Sequence, residues 1–208
     1  FNESFLAPSG VSFPSIVFII PRTGKCFCTF FALSIMIYIS FLDKEEVIME
    51  ILKLGPAHAD EFCRLRMMLF EDVGEIPPMK DMDADLAVSA RALADATKSY
   101  YLSHIDKDLI CFGIEESPGR LAASAALCLF DRLPYMENLC GRESYVLSVY
   151  TCPKFRKQGM ADKLMAALIQ YGRNEDLGKL WLNSSPMGKN LYFRHGFKDT
   201  GNEMELML

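Results

Sequence analysis

An apolar run, Tyr145-Val146-Leu147-Ser148-Val149-Tyr150, ends shortly before a glycine-bearing corner, Arg156-Lys157-Gln158-Gly159-Met160-Ala161. The run reads as a strand. Beyond the corner, Met160, Leu164, Met165 and Leu168 fall at the spacing that puts side chains on one face of a helix. The chain must therefore turn from strand into helix at Gly159. A helix start exposes unpaired N–H groups and the positive end of the helix dipole, so main chain alone can hold an anion there. Gly159 has no side chain to block a ligand and Ala161 has a very small one. Lys154, Arg156, Lys157 and Lys163 add positive charge around the turn. These features describe a cradle for phosphate or pyrophosphate.

The remainder of the chain limits what that anion can belong to. The 208 residues carry a net charge of −5, the wrong sign for a protein whose main partner is nucleic acid. A local basic spot on an acidic protein suits a small anionic ligand. The seven cysteines are odd in number and scattered. Cys26-Phe27-Cys28 is the one close pair, and it lacks the spacing of a zinc or thioredoxin-like site. His58, His104 and His195 lie far apart. The expectation is reduced thiols, no metal, and a cytoplasmic protein.

Residues 1–48 differ in character from the rest of the chain. Val11 to Ile20 and Cys26 to Leu42 are strongly apolar, and the second run is about as long as the shortest membrane spans. One reading is a hydrophobic anchor. The other is an upstream extension that does not belong to the fold. Lys44-Glu45-Glu46 can be encoded by a bacterial ribosome-binding tract, placed a few nucleotides ahead of a start at Met49. On that reading residues 1–48 are excluded from fold reasoning and residues 49–208 form one domain.

From Met49 the elements come in order. Glu50 to Leu54 alternates as a strand, and Gly55-Pro56 breaks it with Pro56 placed for a first helical turn. Phe62, Leu65, Leu69 and Val73 mark a helix, and Asp83 to His104 a second one with Leu86, Leu93 and Tyr100 along one side. Asp108 to Ile114 and Leu121 to Phe130 form a hairpin about Ser117-Pro118-Gly119. Asp131 to Glu143 is a long loop. The central strand, the corner and its helix come next, then a short strand at Leu180-Trp181-Leu182-Asn183. Pro186 opens a helix through Leu191 and Tyr192 that stops at Gly196. Phe197 to Asp199 and Glu203 to Leu208 flank Thr200-Gly201-Asn202 as a last hairpin. The order predicts an α/β chain with a mixed sheet and helices on both faces. A Rossmann fold needs G-x-G-x-x-G and a P-loop needs G-x-x-x-x-G-K-[ST], and both patterns are absent.

With these residues in place, the chain resembles the GNAT N-acetyltransferases. Arg156-x-x-Gly159-x-Ala161 fits the family's [Q/R]-x-x-G-x-[G/A] after the central strand. Leu191-Tyr192-Phe193-Arg194-His195-Gly196-Phe197 resembles its L-Y-x-x-x-G-F ending, and Pro153 ahead of Phe155-Arg156 resembles its loop entry. The element order is similar over essentially all of residues 49–208.

The resemblance implies the GNAT fold, acetyl-CoA as donor, and acetyl transfer to a primary amine through a tetrahedral intermediate. It implies that the pyrophosphate would rest on the N–H groups of Gln158, Gly159, Met160 and Ala161, with Arg156 and Lys157 nearby. Tyr150 and Thr151 would offer main-chain groups to the pantetheine arm and the thioester oxygen, in a gap between splayed strands. Asn183, and Asn190 on the following helix, would contact the cofactor. Tyr192 matches the position of the general acid that protonates the leaving thiolate. A second reading keeps the cradle without turnover, as a non-catalytic acyl-CoA-binding or sensor module.

The proton on the attacking amine needs an acceptor, for which Glu143, Glu115, Glu71 and Asp72 are candidates, but none has a distinctive context, each fits a solvated surface charge better, and none is singled out. The loops Glu71 to Asp83 and Asp131 to Glu143 are expected to line the acceptor's entry. Their acids (Glu71, Asp72, Glu75, Asp81, Asp83, Asp131, Glu137) favour a cationic amine. Ser185 and Gly188 depart from the N-x-x-A-x-x that often precedes the family's L-Y, although Ser185 can still cap a helix. Cys152 reads as packing, His195 as compensating a helix dipole, and Trp181 as core. An exposed C-terminal hairpin could pair two copies as a homodimer.

Overall fold

The computed structural model describes residues 50–201 and 206–207. The apolar segment ahead of Met49 lies outside these residues, as does most of the returning half of the C-terminal hairpin. Phe197 to Asp199, expected as the outgoing strand, takes no regular structure. Among the described residues no helix is long and apolar enough to cross a membrane.

Five strands form one sheet in the order β1-β2-β3-β4-β5. They are β1 (Leu52–Lys53), β2 (Leu109–Ser117), β3 (Arg120–Asp131), β4 (Arg142–Thr151) and β5 (Lys179–Trp181). Neighbours are antiparallel from β1 to β4, and β4 pairs with β5 in parallel. Helices α1 (Ala59–Val73) and α2 (Ala84–His104) lie between β1 and β2. Helix α3 (Met160–Asn174) lies between β4 and β5, and the short α4 (Lys189–Arg194) follows β5. Pro56 sits in the first turn of a 3-10 segment that leads into α1.

Two apolar cores show that the sheet is covered on both faces. One joins Phe62 and Leu65 of α1 and Tyr101 of α2 to Leu109, Leu121 and Tyr150. The other joins Met160, Leu164, Met165 and Leu168 of α3 to Ile110, Ile114, Leu127 and Val146. All of the helical stripe read from the sequence after Gly159 is buried. Between the cores runs β3, whose Ala122, Ala123, Ala125 and Ala126 are fully buried. Small side chains on a strand covered from both sides let the two helix layers approach it.

Three expectations are corrected. Leu93 and Tyr100 of α2 are exposed, and Tyr101 is the side chain that turns inward, with its hydroxyl donating to Gly55 O at 3.0 Å. The period of α2 was legible, but the face that α1 covers depends on packing. Glu143 is not a solvated charge: it lies in β4 at 0% exposure, accepting from Tyr135 Oη at 2.7 Å, with Arg132 3.4 Å away. Trp181 is half-buried at the end of β5, edge-on to Tyr145 and Phe130, and not fully inside.

Candidate active site

Strand β4 is regular until Ser148. Ser124 pairs with Tyr150 but Ala126 pairs with Leu147, so β4 carries one extra residue here. Ser148 takes up that residue in the left-handed region, at φ 52°. Such a conformation costs a non-glycine residue about 1–3 kcal/mol and persists where its surroundings hold it. Arg66 of α1 does so, donating from Nη1 to Ser148 Oγ at 2.6 Å. On its other edge β4 pairs with β5 only from Glu143↔Lys179 to Tyr145↔Trp181. Past that point the Asn183 N–H is held by Tyr145 Oη at 3.1 Å instead of by β4 main chain. The bulge and the lost pairing leave the end of β4 with a free edge.

After β4 a 3-10 turn, Pro153–Phe155, leads to the corner. Lys157 lies at φ 62° and Gly159 at φ 81°, so the chain turns left-handed twice before α3 begins. A Cβ built on Gly159 would meet nothing within 4 Å, so glycine is favoured there by backbone conformation, with open space beyond it. The N–H groups of Gln158, Gly159, Met160 and Ala161 have no hydrogen-bond partner among the described residues, and no side chain caps the helix. Four donors and the dipole of a fifteen-residue helix converge on that space.

A cavity of about 340 Å³ opens from this corner. Lys157, Gly159, Met160 and Ala161 of the corner line it, together with Val149, Tyr150 and Thr151 of β4 and Leu191 and Tyr192 of α4. Thr151 Oγ1 is buried in this lining without a partner among the described residues. The Tyr192 hydroxyl makes no hydrogen bond among the described residues, and burial raises its pKa above the ordinary phenol value, so it carries its proton at neutral pH. Gly188 lets the ring lie close: a Cβ there would stand 3.1 Å from the Tyr192 ring and press it aside by a few tenths of an ångström. Ser185 closes the turn ahead of α4, accepting from Gly188 N at 3.2 Å, while α4 itself begins after Gly188 without a side-chain cap.

The structure thus brings together Tyr150, Thr151, Arg156, Lys157, Gly159, Met160, Ala161 and Tyr192. It places two other sequence candidates elsewhere. Asn190 is exposed on α4, and Asn183 borders a separate cavity of about 790 Å³ that also meets Tyr192. That cavity runs along residues 195–201. The Gln158 side chain turns back to Lys154 O and leaves its N–H at the corner. Lys154 is drawn away from the corner by Glu116. Cys152 is buried as packing, and His195 stands 3.3 Å from Asp162.

The acids sort in the same way. Asp83 is consumed as the cap of α2, accepting from Leu86 N at 2.8 Å, and Glu115 holds Gly119 N in the hairpin. The loop from Asp131 to Glu143 meets β4 at its start, about 30 Å of extended strand from the corner, so it does not line this cavity. Asp72, at the end of α1, does line it. Asp72 Oδ2 accepts from Tyr150 Oη at 2.8 Å and pairs with Arg156 Nη2. Arg156 Nε also donates to Thr151 O at 3.1 Å. Burial first, then the bond to Asp72, pushes the Tyr150 hydroxyl well above the ordinary phenol pKa. The sequence offered Asp72 only as one acid among several, because the residues that single it out are 78 and 84 positions away.

Comparison with known proteins agrees with this geometry. Residues 136–206 match the family model described as an acetyltransferase (GNAT) domain. Among solved structures, the chain is similar to a predicted acetyltransferase from Clostridium acetobutylicum determined with acetyl-CoA, at TM-score 0.66 and 24% identity, over 77% of this chain and 96% of that one. It is similar to a GCN5-related N-acetyltransferase from Ralstonia eutropha at TM-score 0.64 and 22% identity, over 76% and 97% of the two chains. An acetyltransferase from Trypanosoma brucei aligns at TM-score 0.53 and 21% identity, over 76% and 99%. Comparison with curated proteins gives no match. The chain has the fold of the GNAT N-acetyltransferases, and its residues 136–206, which include the corner and Tyr192, match the acetyltransferase (GNAT) domain.

Proposed function

We infer that this protein transfers an acetyl group from acetyl-CoA to a primary amine of a small molecule or peptide by direct attack. The observation that carries this reading is the set of unpaired N–H groups at Gln158 to Ala161, opening into a cavity that reaches Tyr192. The residues present fit the donor. The corner offers donors and space to a diphosphate, and the orphaned Thr151 Oγ1 offers a hydrogen bond to the amide-bearing arm. Gln158, Gly159, Met160 and Ala161 would hold the diphosphate through main chain, Lys157 and Arg156 would add charge, and Tyr150 and Thr151 would flank the arm. Asn183 and Asn190 would serve as outer contacts. The similar Clostridium protein was determined with acetyl-CoA, which supports the choice of ligand.

The thioester supplies an activated acyl carbon. Main-chain donors at the free edge of β4 would stabilise the negative charge that develops on its oxygen. As the amine nitrogen forms the new C–N bond, the C–S bond breaks. Tyr192 Oη gives its proton to the departing sulfur and recovers one from solvent. Its raised pKa keeps that proton in place until a thiolate appears.

The test is thiol release from acetyl-CoA by the full chain in the presence of a panel of amines. Release that depends on an amine, and that falls about tenfold or more in Tyr192→Phe while acetyl-CoA affinity holds, is the expected result. Acetyl-CoA binding without release by any amine would favour the non-catalytic acyl-CoA module instead.

A further inference from the structure

We propose that Asp72 is the carboxylate that receives the acceptor amine, and that this site selects acceptors that carry their nitrogen as an ammonium ion. This rests on the acetyl-transfer reading above and adds to it the group that binds and deprotonates the second substrate.

Two carboxylates line the cavity, Asp72 and Asp162. Asp162 is spoken for. Arg194 Nη2 reaches both of its oxygens at 2.9 Å, Arg194 Nε adds a third contact at 3.2 Å, and His195 Nε2 stands 3.3 Å from Oδ1. Asp72 is held differently. Tyr150 Oη and Arg156 Nη2 both bond to the same oxygen, Oδ2, and Oδ1 has no partner among the described residues. Its side chain is one-third exposed. Two donors on one oxygen fix the plane of the carboxylate and leave the lone pairs of the other free. That is a rigid, singly occupied acceptor on the wall of the cavity that also holds Tyr192.

The chemistry comes from the bare oxygen. An ammonium ion donates strong, charge-assisted hydrogen bonds to a carboxylate oxygen and is attracted by its charge. Its nitrogen has no lone pair until one proton leaves. Oδ1 takes that proton, giving a neutral amine and a carboxylic acid. The nitrogen then uses its lone pair to form the C–N bond, and the C–S bond breaks. The second N–H proton passes to solvent as the amide forms, the thiolate takes a proton from Tyr192, which recovers one from solvent, and Asp72 returns its own to solvent, so one proton is released overall. Arg156 and Tyr150 are positioning residues: they orient Oδ2 and never touch the amine. Asp72 meets the corner only through the Arg156 side chain, so changing it leaves the main-chain donors in place.

The test compares two nucleophiles at pH 7, 1,6-diaminohexane, which is cationic, and hydroxylamine, which is largely neutral and needs no deprotonation. In Asp72→Asn, kcat/KM for the diamine is expected to fall about a hundredfold, and the ratio of diamine to hydroxylamine by at least about tenfold. Tyr150→Phe keeps the carboxylate but leaves Oδ2 to Arg156 alone, and is expected to lower the same ratio by a few-fold. A readout without turnover is calorimetric binding of the diamine to the protein saturated with coenzyme A, which should weaken about tenfold in Asp72→Asn. An unchanged ratio and unchanged diamine binding in both variants would overturn the assignment while leaving acetyl transfer intact. Failure of the unaltered protein to bind acetyl-CoA would remove the reading of the cavity itself. Binding of acetyl-CoA without transfer to either nucleophile would contradict the enzyme and the role of Asp72 together.

Discussion

Two regions of the cavity lining are built on different principles. The corner at Gly159 is made of main chain: four N–H groups, a left-handed glycine and a helix dipole, all within a few residues of one another. The wall at Asp72 is made of side chains drawn from α1, β4 and the loop after it. A main-chain site depends on backbone conformation and tolerates almost any side chain that keeps it. A side-chain site depends on each named atom and fails when one is removed. Arg156 joins the two regions, because it bonds to Asp72 and to Thr151 O from within the corner itself.

The difference between the regions can be broken or sharpened by substitution. Gly159→Val places a β-branched residue at φ 81° and should reshape the corner, lowering acetyl-CoA affinity about a hundredfold by calorimetry. Comparable affinity in this variant would mean that the corner is not the anion site. Arg156→Gln, at the joint, should lower affinity for both substrates, by about tenfold for a cationic amine and less for acetyl-CoA, in steady-state kinetics. A change confined to one substrate would separate regions that the structure ties together.

Acid should act on the anchoring of α1 and spare the corner. Burial alone would raise the Glu61 pKa, but the hydrogen bonds from Arg64 and from Leu121 N–H outweigh it, so the pKa lies below the usual carboxylate value. A carboxylate with a depressed folded pKa stabilises the protein above its unfolded pKa, and that contribution is lost as pH falls through the folded value. Urea stability should therefore hold from pH 7 to about 5 and decline below about pH 4.5. In Glu61→Gln the decline should be shallower by about 1 kcal/mol. The smallest effect is expected for Lys157→Ala. Its side chain is exposed, and removal should weaken acetyl-CoA by only a few-fold, more at low salt than at high. A loss as large as that from Gly159→Val would mean that charge, and not main chain, does the binding.

The same contrast explains what the sequence disclosed. The strand, the glycine and the Met/Leu stripe of α3 are contiguous, so periodicity and turn chemistry were enough to place them. Asp72 was one acid in an acidic stretch, and only the approach of α1 to β4 gives it Tyr150 and Arg156 as partners. The loop of Asp131 to Glu143 was misplaced for the complementary reason. Its acids suggested an entry for cations, but sequence does not say at which end of β4 a loop lies until the sheet is assembled. Glu143 could have been suspected. It sits in phase with Tyr145 and Leu147 in a strand, and Tyr135 and Asn138 lie close by to satisfy it. The bulge at Ser148 left no signal, since serine is an ordinary strand residue and its left-handed conformation depends on Arg66 from α1.

The most direct measurement is calorimetric titration of the full chain with acetyl-CoA, run in parallel on Gly159→Val. The structure predicts one saturable site in the unaltered protein and loss of about a hundredfold in affinity in the variant, with the fold retained. Absence of binding to the unaltered protein, or equal affinity in both, would contradict the claim that the N–H groups at the start of α3 hold the donor.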